Sequence, residues 1–203
     1  MGGVWVWIEQ HDGKAAGASW EAVGVGRRLA DALGEKVTAL VFGHNAAALG
    51  SEAIKRGADS ALVCDDETLA DFRVDPVASL LSALAKQHGP SVIMAGATTR
   101  GTDVMGTAAV DLDAGVVADV VEIEVERERI VASRPVYAGK LIARATIPAG
   151  VQMFTLRGRA FPAPAVDEAR TGAVEAVSPV RAEGDITTKV TSFEVRGGEV
   201  SLT

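Results

Sequence analysis

From Val4 to Leu112 short apolar runs alternate with stretches whose apolar residues recur at helical spacing, and the alternation repeats four times. The runs are Val4-Trp5-Val6-Trp7-Ile8, Val37 to Phe42, Ser60 to Cys64 and Ser91 to Ala95. Each lacks the polar alternation of a strand with one wet face, so each is expected to be buried on both faces. Between them, Ala22, Val25, Leu29 and Leu33 form a first helical stripe, with Ser19 expected as its N-cap and Gly34 at its end. A second helix is expected from about Ala46 to Arg56. A third carries Val77, Leu80, Leu81 and Leu84, with Asp75 as cap and Pro76 in the first position. Val104, Met105, Ala108, Ala109 and Leu112 mark a fourth. Strands joined through helices must run parallel, with right-handed crossovers and helices covering both faces of the sheet.

In such a sheet, ligands lie beyond the carboxyl ends of the strands. That places weight on Gly96-Ala97-Thr98-Thr99-Arg100-Gly101, a small, polar turn between a strand and a helix. Free backbone N–H groups and the positive end of the helix dipole would face an anion there, beside two hydroxyls and a guanidinium. A phosphate is one reading of the turn. The other is ordinary capping of the helix by Thr99 or Thr102.

The pattern changes after Leu112. Val121 to Glu126 alternates strictly, Ile130 to Tyr137 is a second strand, and Leu141–Ile147 and Val151–Leu156 are expected to complete an antiparallel meander. The common face of Glu122, Glu124 and Glu126 is expected to be solvated, since no histidine or hard-ion loop accompanies it. Residues 1–160 thus read as one α/β domain whose antiparallel extension begins at about residue 115. Residues 161–203, rich in Pro and Gly, read as linker and a final strand over Ile186–Val195.

Several function classes lose support on composition. A net charge of −7 disfavours nucleic acid, no apolar run reaches the length of a membrane span, and the N-terminus has no secretory pattern. One cysteine, Cys64, suits a reducing compartment; the expected location is the cytoplasm. There is no nucleophile elbow, Walker loop or dinucleotide fingerprint; Gly24-Val25-Gly26 falls inside a helical stripe. His11, His44 and His88 carry no metal spacing, although His11 and His44 both follow strands.

Four segments, in this order and spacing, resemble the alpha subunit of the electron transfer flavoproteins in its N-terminal domain. They are Val92 to Asp103, Ala118 to Ile123, Arg134-Pro135-Val136-Tyr137-Ala138-Gly139-Lys140, and Phe154-Thr155-Leu156-Arg157-Gly158-Arg159-Ala160-Phe161. The resemblance covers nearly the whole chain, and the forms around Tyr137 and Arg157 are similar to the non-bifurcating members. Lys140 stands where the family commonly has Asn. The resemblance implies a five-stranded parallel core related to the adenine nucleotide alpha hydrolases, with an antiparallel strand extension. It further implies that Thr98, Thr99, Arg100 and Gly101 are a vestigial phosphate turn, AMP being expected in the beta subunit.

The same resemblance implies a subunit of an electron carrier rather than an enzyme. The redox FAD of the full heterodimer is held mainly by a C-terminal domain, so this chain reads as an N-terminal fragment not expected to hold FAD. Its partners would be the beta subunit and, through the complex, flavin dehydrogenases of β-oxidation and a membrane quinone oxidoreductase. Arg134, Tyr137 and Arg157 are flavin-crevice or subunit-interface residues in this reading. Alternatively, Arg134 and Arg157 pair with strand carboxylates such as Asp119 or Glu122. Two further readings stay open: a stand-alone AMP- or ATP-binding module of the same fold, and a hydrolase using Asp103 as a base.

Overall fold

The computed structural model describes residues 2–127, 129–192 and 194. Strand β1 (Val4–Ile8) is buried along its whole length. Its alternation sorts the core into two layers. Val4, Val6 and Ile8 point into one hydrophobic cluster, while Trp5 and Trp7 point into the other. A two-residue hairpin, β2 (Gln10–His11) and β3 (Lys14–Ala15), leads into helix α1 (Gly17–Leu33). Then follow β4 (Val37–Gly43), α2 (Ala48–Lys55), β5 (Ser60–Asp65), α3 (Val74–His88), β6 (Val92–Gly96) and α4 (Thr99–Leu112). Helices α1 and α2 pack on the Val4 side, α3 and α4 on the tryptophan side. The expected parallel sheet with helices on both faces is what forms.

Two caps differ from expectation. Ser19 lies inside α1, whose N-cap is Ala16; its buried hydroxyl instead accepts the Glu9 N–H at 2.9 Å. Helix α3 begins at Val74 after Arg73, so Asp75 and Pro76 sit within its first turn. The αL conformations of Gly34 and Gly89 end α1 and α3 where the sequence places them. Gly26 explains part of the glycine pair in α1: a Cβ there would lie 2.9 Å from Val6, so its absence lets the helix approach β1 closely.

The larger departures come after α4. Gly115–Val120 is a strand, β7, that the polar interruption at Asp119 conceals. Strands β8 (Glu122–Glu126), β9 (Arg129–Val136) and β10 (Leu141–Ala145) form the antiparallel sheet, in the order β10-β9-β8. The meander stops there. Strand β11 (Gln152–Leu156) returns to the main sheet and inserts, parallel, between β6 and β7. Its pattern is buried over Met153–Leu156, which suits the middle of a two-sided sheet rather than a half-wet extension.

The stretch expected to be linker is bound along much of its length. Its strand β12 (Ala173–Ala176) pairs parallel with β5, giving a seven-stranded sheet β12-β5-β4-β1-β6-β11-β7 where the resemblance implied five strands. Before it, Asp167 N–H donates to Lys55 O at 2.8 Å and Arg170 pairs with Asp59 at 2.8 Å. After it, Arg73 holds Glu183 through two 2.8 Å bonds, and Ile186 is buried. Residues 186–192 form no strand; the rest of the strand expected over Ile186–Val195 falls largely outside the described residues.

Candidate functional site

The carboxyl ends of β1, β4, β6, β11 and β7 lie along one edge of the sheet, and two sites form there. The first is the turn after β6. Thr98, rather than Thr99 or Thr102, caps α4: its hydroxyl accepts the Gly101 N–H at 2.9 Å. The same hydroxyl donates to the Glu9 carboxylate at 2.5 Å. An anion of the protein itself therefore sits against this turn, placed by the residue that follows β1. Gly101 allows the tightness, since a Cβ there would come 2.0 Å from Gly96 O. Thr99 is exposed and makes no side-chain bond among the described residues. Arg100 lies over the Phe72 ring at 4.7 Å, with its Nη1 3.5 Å from Gln10 O.

Beside Arg100 is a cavity of about 420 Å³ lined by Trp7, Phe42, Phe72, His11, His44 and Asn45 among others. It brings together the two strand-following histidines. His44 lies 4.0 Å from Asp65, whose carboxylate accepts the N–H groups of Asn45 and Ala47. Asp103 is exposed, and it is not among the residues lining the cavity. Cys64, at the buried end of β5, is inert by environment: burial, then the nearby Asp66 and Asp65, push its thiol up to about 11.

The second site is an open cleft of about 510 Å³ between the main sheet and the β9–β10 hairpin, lined by Asp119, Arg134, Tyr137, Gly139 and Arg157. It unites three of the four segments that carry the family resemblance. A register shift between Phe154 and Leu156 marks a bulge in β7, where Ala118 and Asp119 stand opposite Thr155 and Asp119 takes a left-handed backbone (φ 61°). The Asp119 N–H is redirected to Thr155 Oγ1 at 3.0 Å, and Arg157 N–H donates to Val120 O at 2.9 Å. This geometry presents the Asp119 carboxylate to Arg157, whose Nε donates to Oδ1 at 2.8 Å and whose Nη2 donates to Oδ2. The bidentate Arg157 bond first, and the charges of Arg157 and Arg134, hold the Asp119 carboxyl below the usual carboxylate range against its partial burial.

Arg134 is different. It is half-buried on β9 and makes no ion pair or side-chain hydrogen bond among the described residues. Tyr137 and Ala138 form a left-handed turn (φ 50° and 53°), and the Tyr137 side chain is 77% exposed. Lys140, in the position that departs from the family pattern, is exposed. Of the two pairings considered for the arginines, Arg157 with Asp119 forms and the Arg134 pairing does not. Glu9 is the residue whose role the sequence conceals: a lone acid at the carboxyl end of an apolar run is the one signal that marks it.

No helix among the described residues is long and apolar enough to cross a membrane. No cluster of metal-ligating side chains occurs among them. Residues 4–182 match the model of the electron transfer flavoprotein domain. The chain is 35% identical over 195 residues to protein FixB of Azorhizobium caulinodans, covering 94% of this chain and 53% of that protein. It is also 35% identical over 195 residues to the electron transfer flavoprotein subunit alpha of Clostridium acetobutylicum, covering 93% and 57%. Protein FixB of Azotobacter vinelandii is 36% identical over 201 residues, covering 94% and 54%. The chain thus spans about half the length of the curated relatives it matches. With the match running from β1 through β12 and across both sites at the sheet edge, the chain belongs to the electron transfer flavoprotein domain family.

Proposed function

We propose that this chain is the docking half of an electron-carrying heterodimer, an alpha-subunit-type domain that packs against a beta subunit and frames one wall of the FAD crevice. The cleft around Arg134, Tyr137 and Arg157 is the observation that carries this reading. It gathers three of the sequence segments that resemble the family, it is open, and exposed Tyr137 stands on its lining. Bound FAD supplies the electron-carrying chemistry. The residues present fit the rim of such a site rather than its whole: two guanidiniums, one of them neutralised, beside an open cleft. They provide positive charge and a docking face, so FAD would be held mainly outside this domain. Electrons would pass from flavin dehydrogenases to a membrane quinone oxidoreductase through the complex, with AMP bound in the beta subunit.

Co-purification tests this directly. The full-length chain expressed with its cognate beta subunit should elute as a one-to-one complex with flavin absorbance. A chain that elutes alone under those conditions overturns the reading. A second reading, an AMP- or ATP-binding module, draws support from the 420 Å³ cavity and its aromatic walls. Against it stands the Glu9 carboxylate, which repels a phosphate from the Thr98–Gly101 turn. Calorimetric titration of this chain with AMP should give no heat; micromolar binding would favour the second reading.

A further inference from the structure

Of the two guanidinium groups in the cleft, one already has its anion. Asp119 takes Arg157 through both oxygens, while Arg134, whose charge also reaches Asp119, forms no ion pair or side-chain hydrogen bond of its own among the described residues. A half-buried guanidinium on the wall of an open cleft, with no carboxylate bonded to it, is placed to take one from outside. The surroundings of Arg134 say what kind of group that is.

Alternation puts Ile130, Ala132, Arg134 and Val136 on one face of β9, and cross-strand pairing adds Ala143 opposite Arg134 and Leu141 opposite Val136. Over Ile130 and Ala132, with Ile123 of β8, this face is sealed onto the α1 side of the core. Strand β8 stops where Glu122 meets Ser133. Beyond that point β9 and β10 continue as a two-stranded overhang. Pro135, which cannot donate to a neighbour, falls in this stretch. The same face runs on uncovered at Leu141, which is 57% exposed, and Tyr137 in the turn at the tip is 77% exposed. Whatever completes this surface must supply an anion to Arg134 and apolar cover to Leu141 and Tyr137 together. A free phosphate meets the first need alone. A protein surface carrying a carboxylate among apolar residues meets both.

We propose that the β9–β10 overhang is the docking arm of this chain and that Arg134 receives a carboxylate from the beta subunit. This rests on the heterodimer reading above. Arg157 remains with Asp119 in the complex and meets no partner charge.

The test uses the full-length chain and the beta subunit, with the dissociation constant measured for Arg134→Ala, Arg134→Lys and Leu141→Asn, and melting of each free variant as a control. Arg134→Ala should weaken the complex about 30-fold or more, the usual cost of truncating one member of a buried charge pair. Arg134→Lys should fall between, having the charge without the fork, and Leu141→Asn should weaken binding about tenfold. Replacing the right Asp or Glu of the beta subunit by Ala should make a further loss from Arg134→Ala small. If Arg134→Ala melts early, Arg134→Lys and Leu141→Asn carry the test. Affinity within about twofold of wild type for the Arg134 variants overturns the proposal. So does unchanged affinity with a shifted flavin potential, which assigns Arg134 to the flavin, or a loss that no beta-subunit carboxylate couples to. A wild-type chain that does not bind the beta subunit at all removes the heterodimer reading itself.

Discussion

Asp119 shows how one residue sets the charge of a site. Aspartate tolerates the left-handed backbone that the bulge imposes better than the valines around it would. Its carboxylate then removes one of two positive charges from the cleft. Because the Arg157 bond lowers the folded-state pKa, the pair is intact at neutral pH, and its contribution is lost only as the pH falls through that lowered value. Carbon-13 NMR of the Asp119 carboxyl should therefore give a midpoint below the ordinary value of about 3.9. In Arg157→Ala the midpoint should move back up; an unchanged midpoint would assign the shift to something other than the pair. Asp119→Asn should keep the backbone and add one net positive charge beside Arg134. The pairing of Arg157 with Asp119 was legible as one of two readings of the arginines, but the backbone that orients Asp119 was not. A lone acid in an apolar run reads equally as a strand break, and only the bulge resolves it.

At the level of elements, the segment from Phe161 to Ile186 is held by ion pairs as well as by the β12–β5 ladder and its buried Phe161 and Ile186. Lys55–Glu168, Arg170–Asp59, Arg181–Asp75 and Arg73–Glu183 tie it to α2, the β5 edge and α3, while β12 itself is exposed throughout. Asp59 is the shared knot, taking Arg27, Arg170 and the Val37 N–H. Burial raises its pKa, but the Val37 N–H and the two guanidiniums outweigh burial and hold it below the usual range. Its contribution is thus present at neutral pH and lost on acidification below about pH 4. Asp59→Asn should cost about 1.5–3 kcal/mol in urea unfolding and flatten the acid limb of stability. It should also speed proteolysis between 161 and 186; an unchanged cleavage rate would show that the β12 ladder alone holds the segment. The parallel half of the fold was readable because two-sided burial leaves unbroken apolar runs. This segment was not, because an exposed edge strand fastened by ion pairs has the composition of a linker.

For the whole molecule, the order β6-β11-β7 has a consequence for how the chain comes together. Strand β7 emerges soon after β6 yet does not pair with it; a place one strand wide must be kept between them. Chain added about thirty residues later fills that place after a detour through the antiparallel hairpins. On a ribosome, everything up to residue 151 can be out while β7 has no ladder partner in the main sheet. Closing the sheet is a long-range event, of the kind that slows folding. A nascent chain arrested before Gln152 should show slow-exchanging amides in β1, β4 and β5 and fast exchange in β7, and release past Leu156 should protect β7 in a single step. Protection of β7 before then would mean that it first pairs elsewhere. The strand that fills this gap is also the one that delivers Arg157 to Asp119, so the charge of the cleft is settled at the moment β7 gains its partner.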